Sequence, residues 1–182
     1  LTRLYHQEGV VVMLNTTAVH GDCVDNGIKV TTEREKIFVK IVVNAAGLYA
    51  DELSVAFGGE RFTIHPCRGE YAELVPGKQY MVNSHVYPLP DSSGHSLGIH
   101  LTKTTHGTVL VGPTTQYQTA KDDYEYDRLP LKAFYESANN LLPWIQMTDL
   151  RLGGTGIRPK LHPPEQSFTD FLIAHVWCMR RV

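Results

Sequence analysis

The chain has 182 residues, 42% hydrophobic and 20% charged, enough for one domain or one and a half with a sizeable core. Its formal net charge is −2 and its Lys and Arg residues form no long cluster, which excludes the footprint of a nucleic-acid binder and favours a small ligand. No apolar run approaches the roughly 20 residues that span a bilayer, so no clear membrane segment is expected.

The first residues, LTRLYHQEGV, lack the charged-then-apolar pattern of a secretory signal and do not begin with Met; they read as text from inside a longer protein. Cys23, Cys67 and Cys178 are far apart and form no Cys-x-x-Cys pair. That pattern suggests neither a disulfide framework nor a zinc site, and it sets a reducing compartment, cytoplasmic or mitochondrial, as the expectation.

Short β-prone runs at 10–14 (VVVML), 16–20, 27–32 and 36–43 (KIFVKIVV), separated by HGDCVDNG, predict a small sheet ending at Asn44. From Tyr49 to Phe57, Leu53, Ala56 and Phe57 recur at helical spacing, and Gly58-Gly59 supply a stop, which predicts a helix there. Between strand and helix stands NAAG, 44–47. Its ordinary reading is a tight turn, but residues without bulk also allow close approach to the backbone.

Residues 62–117 alternate β-prone runs (RGEYAELV, YMVNSHVYPL, SLGIHLTKT, GTVLVGPTT) with the connections PDSSG and THG. Successive strands without intervening helices predict an antiparallel sheet and an α+β class. In PLKAFYESANNLL, 130–142, Leu131, Phe134 or Tyr135, Ala138 and Leu141 or Leu142 share a helical face, with Pro130 as a first-turn residue and Pro143 as the stop. A Gly- and Pro-rich connection then leads to a final strand at 169–174.

Taken together and in order, NAAGLYAD (44–51), HPCRGEYAEL (65–74), VYPLPD (86–91), LGIHLTKTTHGTVLVGPT (97–114) and GTGIRPKL (154–161) resemble the FAD-dependent D-amino-acid-oxidase-like superfamily, within it most nearly the L-2-hydroxyglutarate dehydrogenase branch. The resemblance implies an enzyme in which an antiparallel substrate domain covers a flavin held by a Rossmann-like domain. It divides this chain into a partial FAD-binding domain at 1–60, a substrate domain at 61–150 and a return into the FAD-binding domain at 151–182. The family's Gly-x-Gly-x-x-Gly phosphate turn and the glycine-rich flavin segment expected beyond DFLIAHV are not found in the sequence. The chain therefore resembles the middle of a longer protein, and alone it is expected to be inactive.

The resemblance also assigns residues. Ala45, Ala46 and Gly47 would let FAD reach the backbone, Val19 would meet the adenine ring, and Gly156 would border the cofactor. Arg158, in Gly-Ile-Arg-Pro, offers a planar fork that pairs with a carboxylate through two hydrogen bonds, and it is expected to bind the substrate. Oxidation of a 2-hydroxy acid requires loss of the hydroxyl proton as hydride leaves the α-carbon, which makes His100 the expected base. Arg68 and Tyr71, on the Arg-Gly-Glu-Tyr strand, border the substrate or, for Arg68 with Glu70, make an ion pair.

His65, His162, His175 and Glu165 show no helical metal-ligand spacing, and no metal is expected. The partner is a small carboxylate; the sequence does not specify an electron acceptor. An amino-acid oxidase of the same superfamily, a non-catalytic remnant acting as a binding module, and a carboxylate-binding protein unrelated to flavins stand as alternatives.

Overall fold

The computed structural model describes residues 7–89, 98–125, 127–166 and 169–175. The chain divides into two compact units, one holding residues up to Phe62 together with those from Ile173, the other Thr63–Leu172. Among the described residues no helix is long and apolar enough to cross a membrane.

The first unit contains an antiparallel sheet of β1 (Ala18–Val24), β2 (Gly27–Thr32) and β3 (Lys36–Val39) in the order β1-β2-β3. The β1–β2 turn uses Asn26 at φ 63°, a left-handed conformation that Asn tolerates. A 3₁₀ turn, Gly47–Tyr49, leads into helix α1 (Ala50–Ala56). The predicted glycine stop ends α1 as a Schellman motif: the Gly59 N–H donates to Ser54 O at 2.8 Å and the Gly58 N–H to Val55 O at 3.0 Å, with Gly58 at φ 72°.

Two expectations fail in this unit. Residues 10–14 form no strand, with Val11 and Leu14 exposed, and the strand expected over 36–43 ends at Val39 with Ile41 and Val43 exposed. Both runs are β-prone in composition, but no described strand lies beside them to supply a ladder, and propensity without a partner strand does not make a sheet.

The second unit is built on β4 (His65–Leu74), which pairs with three strands: β6 (Val109–Gly112) and β7 (Gln116–Tyr117) along one edge, and β8 (Leu150–Lys160) along the other, with β5 (His100–Lys103) outside β6. All these pairings are antiparallel, which with the helices gives the α+β class. Helix α2 (Leu131–Leu141) covers one face. Pro130, expected within its first turn, stands one residue earlier as the N-cap. Phe134, Ala138 and Leu142, spaced i, i+4, i+8, are buried against Ala72, Leu74, Leu101, Val109, Val111 and Leu150. Fully burying a side chain such as Phe134 contributes about 1.5–3 kcal/mol.

The largest correction concerns residues 150–160, expected as a connection and found as the longest strand. Its glycines and prolines misdirect a propensity argument, yet Pro159 stands opposite Pro66, and the register shift between Glu70 and Ala72 falls opposite Gly153 and Gly154. β8 pairs along the whole of β4 and lies with it in the compact unit Thr63–Leu172. The strand expected at 169–174 is irregular and exposed. The 80–89 run contributes only a 3₁₀ turn at Gln79–Met81 and a bridge between Val86 and Leu101. The turn expected at 90–94 and the residues after His175, Cys178 included, lie outside the described residues. Against the expectation of no disulfide framework, Cys23 is disulfide-bonded, whereas Cys67 is a free, buried thiol.

Candidate functional site

Alternation along β4 sends Arg68, Glu70, Ala72 and Leu74 to the α2 face and Cys67, Gly69, Tyr71 and Glu73 to the opposite face. Register carries the second set outward: Arg158 and Tyr117 stand opposite Cys67, Leu110 opposite Glu73, and His100 opposite Gly112 two residues beyond Leu110. Arg158, Tyr71 and His100 therefore share the sheet face turned away from α2, and each is half-buried.

Arg158 donates from Nη2 to the Thr114 carbonyl at 2.8 Å, the one side-chain hydrogen bond it makes among the described residues, and no described carboxylate pairs with it. Its other N–H groups are available to a ligand. Gly112 has φ 151°, and a Cβ there would stand 2.7 Å from both the Glu70 carbonyl and the Tyr71 ring, so glycine is what allows Tyr71 to lie against β6.

The His100 ring is fixed twice. Its Nδ1 lies 2.9 Å from Gly98 O, and its plane stacks on Tyr87 at 4.4 Å between centroids. A carbonyl can only accept, so Nδ1 carries the proton, and in the neutral ring the Nε2 lone pair is left to act as a base.

Arg68, one of the residues expected at the substrate, is instead on the α2 face. It is 3% exposed and its Nη2 lies 3.2 Å from Glu70 Oε1, 3.2 Å from Gln116 Oε1 and 3.1 Å from Asp127 O. Glu70 is fully buried, accepts the Leu129 N–H at 3.0 Å and stands 3.5 Å from Arg128 Nε. Burial without water forces these charges together, so the ion-pair reading of this strand describes what Arg68 does.

At the end of the same face, burial pushes the Tyr117 phenol up, the nearby Cys67 adding to the effect and Arg158 opposing it. Tyr117 Oη lies 3.1 Å from His162 Nδ1. Sequence reasoning passed over Tyr117, Thr114, Gly69 and Tyr87; the available signal was glycine inside a β-prone run, which marks close approach.

In the first unit, the NAAG turn is held by its own asparagine: Asn44 Nδ2 donates to Ala50 O at 2.7 Å, and Oδ1 accepts from the Ala46 N–H at 3.2 Å. Gly47 has φ 58°, and nothing lies within 4 Å of where its Cβ would be. Ala45, Ala46 and Gly47 are exposed, as is Val19, which sits at the β1 irregularity. Among the described residues no side chain covers Gly47, and the exposed backbone of this turn fits a flat cofactor resting on it. Gly156 likewise has open space where a Cβ would stand.

Arg158 and a tautomer-fixed His100 on one sheet face of the second unit, and an open small-residue turn in the first unit, are the candidate ligand-facing features of the two units. The chain belongs to the FAD dependent oxidoreductase (DAO) family, which it matches over residues 1–179. It is 34% identical over 151 residues to the mitochondrial L-2-hydroxyglutarate dehydrogenase of Arabidopsis thaliana, covering 76% of this chain and 31% of that protein. It is 37% identical over 94 residues to the mitochondrial L-2-hydroxyglutarate dehydrogenase of Homo sapiens, covering 51% and 20%. Among solved structures it is similar to L-α-glycerophosphate oxidase from Mycoplasma pneumoniae with FAD bound, at TM-score 0.71 and 25% identity over 85% of this chain and 41% of that one. L-proline dehydrogenase from P. horikoshii, at TM-score 0.67 and 21% identity over 87% and 41%, shares the fold. The chain thus spans about a third or less of the length of these two dehydrogenases.

Proposed function

We propose that this chain supplies the substrate-facing sheet and part of the cofactor-facing surface of an enzyme that oxidises a small 2-hydroxy acid resembling L-2-hydroxyglutarate. The observation that carries the reading is the shared sheet face of Arg158, Tyr71 and His100. Arg158 binds the substrate carboxylate through the N–H groups not given to Thr114. His100 Nε2 takes the hydroxyl proton as the C–O bond becomes C=O. Tyr71, between them on the same face, borders the α-carbon. Val19, Ala45, Ala46, Gly47 and Gly156 would hold FAD, which accepts the hydride leaving the α-carbon when bound.

The test is anaerobic titration of the enzyme that contains this chain, loaded with FAD, following the visible flavin absorbance. Bleaching by L-2-hydroxyglutarate but not by glycine or L-proline is expected. Bleaching by the amino acids alone would move the assignment to an amino-acid oxidase, and a protein that takes up no flavin would support the non-catalytic alternative.

A further inference from the structure

Gly69 sits inside β4 with an ordinary backbone, since it is not among the glycines of positive φ, so any residue could adopt its conformation. Glycine within a strand weakens it, and some neighbour must therefore require the missing side chain. That neighbour is Arg158. A Cβ at position 69 would overlap Arg158 Nη2 and stand 3.1 Å from its Cζ and 3.2 Å from Pro113 Cβ. The guanidinium starts from β8, crosses β4 above Gly69 and reaches the Thr114 carbonyl on the far side at 2.8 Å. Thr114 is itself tied to β4: its N–H donates to Glu70 O at 3.0 Å and its Oγ1 accepts the Glu70 N–H at 2.9 Å.

We propose that Gly69 is a positioning residue for Arg158: its missing side chain lets the guanidinium lie across β4 and dock on Thr114, which sets where the remaining N–H groups meet a substrate carboxylate. This rests on the assignment of Arg158 as the carboxylate ligand. An arginine tail left loose must be ordered when substrate binds, whereas a docked one is already in place. The group that Gly69→Ala displaces is the far end of a flexible side chain, so the variant folds and the cost falls on binding. At Gly112 the obstacle is the Glu70 backbone carbonyl, which has no comparable freedom.

The experiment compares wild type, Gly69→Ala, Arg158→Ala and the double variant of the FAD-loaded protein. Guanidinium ¹⁵N resonances should show Arg158 released from Thr114 in Gly69→Ala. The KM for L-2-hydroxyglutarate should rise, with kcat/KM falling by up to the order of 10²-fold and kcat changing little. In the Arg158→Ala background the Gly69 substitution should add no further loss. Unchanged Arg158 resonances in Gly69→Ala, or losses that multiply in the double variant, would overturn the proposal. Should Arg158→Ala leave KM unchanged, the carboxylate assignment fails, and the resonances still decide whether Gly69 places the guanidinium. Should Gly69→Ala lower the melting temperature, truncating Arg158 beside it should restore that loss, and no recovery also overturns the proposal.

Discussion

Tyr87 lies against the His100 imidazole with ring centroids 4.4 Å apart and planes 28° from parallel, while Gly98 O accepts a hydrogen bond from Nδ1–H at the ring's edge. Ring plane and tautomer are thereby set by two different neighbours. Replacing His100 with Gln should lower kcat for a 2-hydroxy acid by on the order of 10²–10⁴. The loss for an amino acid that binds with its amine unprotonated should be smaller. Steady-state kinetics on both substrates checks this, and equal losses would remove His100 from the role of base.

Arg158 offers a second measurement. Arg158→Ala should weaken substrate binding by about 2–5 kcal/mol, partly because a desolvated carboxylate is left without a partner. Arg158→Lys keeps the charge but not the fork and should recover only part of that loss. Comparing KM across the three proteins decides it; a lysine variant equal to wild type would argue for charge alone.

The Arg68–Glu70–Arg128 cluster should matter for stability. Glu70→Ala leaves buried Arg68 without its carboxylate and should cost about 3–5 kcal/mol. The combined Arg68→Met, Glu70→Leu, Arg128→Met replacement should recover most of it, since a well-packed apolar set avoids the desolvation penalty. Denaturant unfolding of both variants gives the answer, and a mild Glu70→Ala phenotype would show that water reaches the cluster.

Asp149 predicts a pH dependence. The Lys78 ammonium at 2.9 Å and the Gln146 N–H at 3.0 Å hold its carboxyl below the ordinary 3.8. A carboxyl lowered on folding contributes stability that is whole above its unfolded value and is lost as pH falls from 3.8 toward the lowered value. The difference in unfolding midpoint between wild type and Asp149→Asn should shrink across that acid range, and a difference that stays constant would contradict the pairing.

Sequence reasoning found the parts of this fold whose cause is local. Helices α1 and α2 follow from apolar spacing and from Gly58 and Pro143, and β2 was placed residue for residue at 27–32. What it missed depended on partners. The runs at 10–14 and 40–43 have strand composition and no ladder, while 150–160 has the composition of a loop and pairs along all of β4. The candidate site shows the same division. Arg158 and His100 were picked from motifs whose chemistry is intrinsic to the residue type. Arg68 was drawn toward the substrate because alternation tells which residues share a face but not which face is covered by a helix.

The β4–β8 ladder couples the assembly of the second unit to chain synthesis. Residues 65–74 find their complete partner only at residues 150–160. Until the later segment leaves the ribosome, one edge of β4 presents unpaired amide and carbonyl groups beside a glycine that no guanidinium yet covers. Such long-range pairing is slow to close, so the nascent chain carries an adhesive edge while residues 75–160 are being made. Chaperone dependence during expression should therefore fall sharply once residue 160 is available.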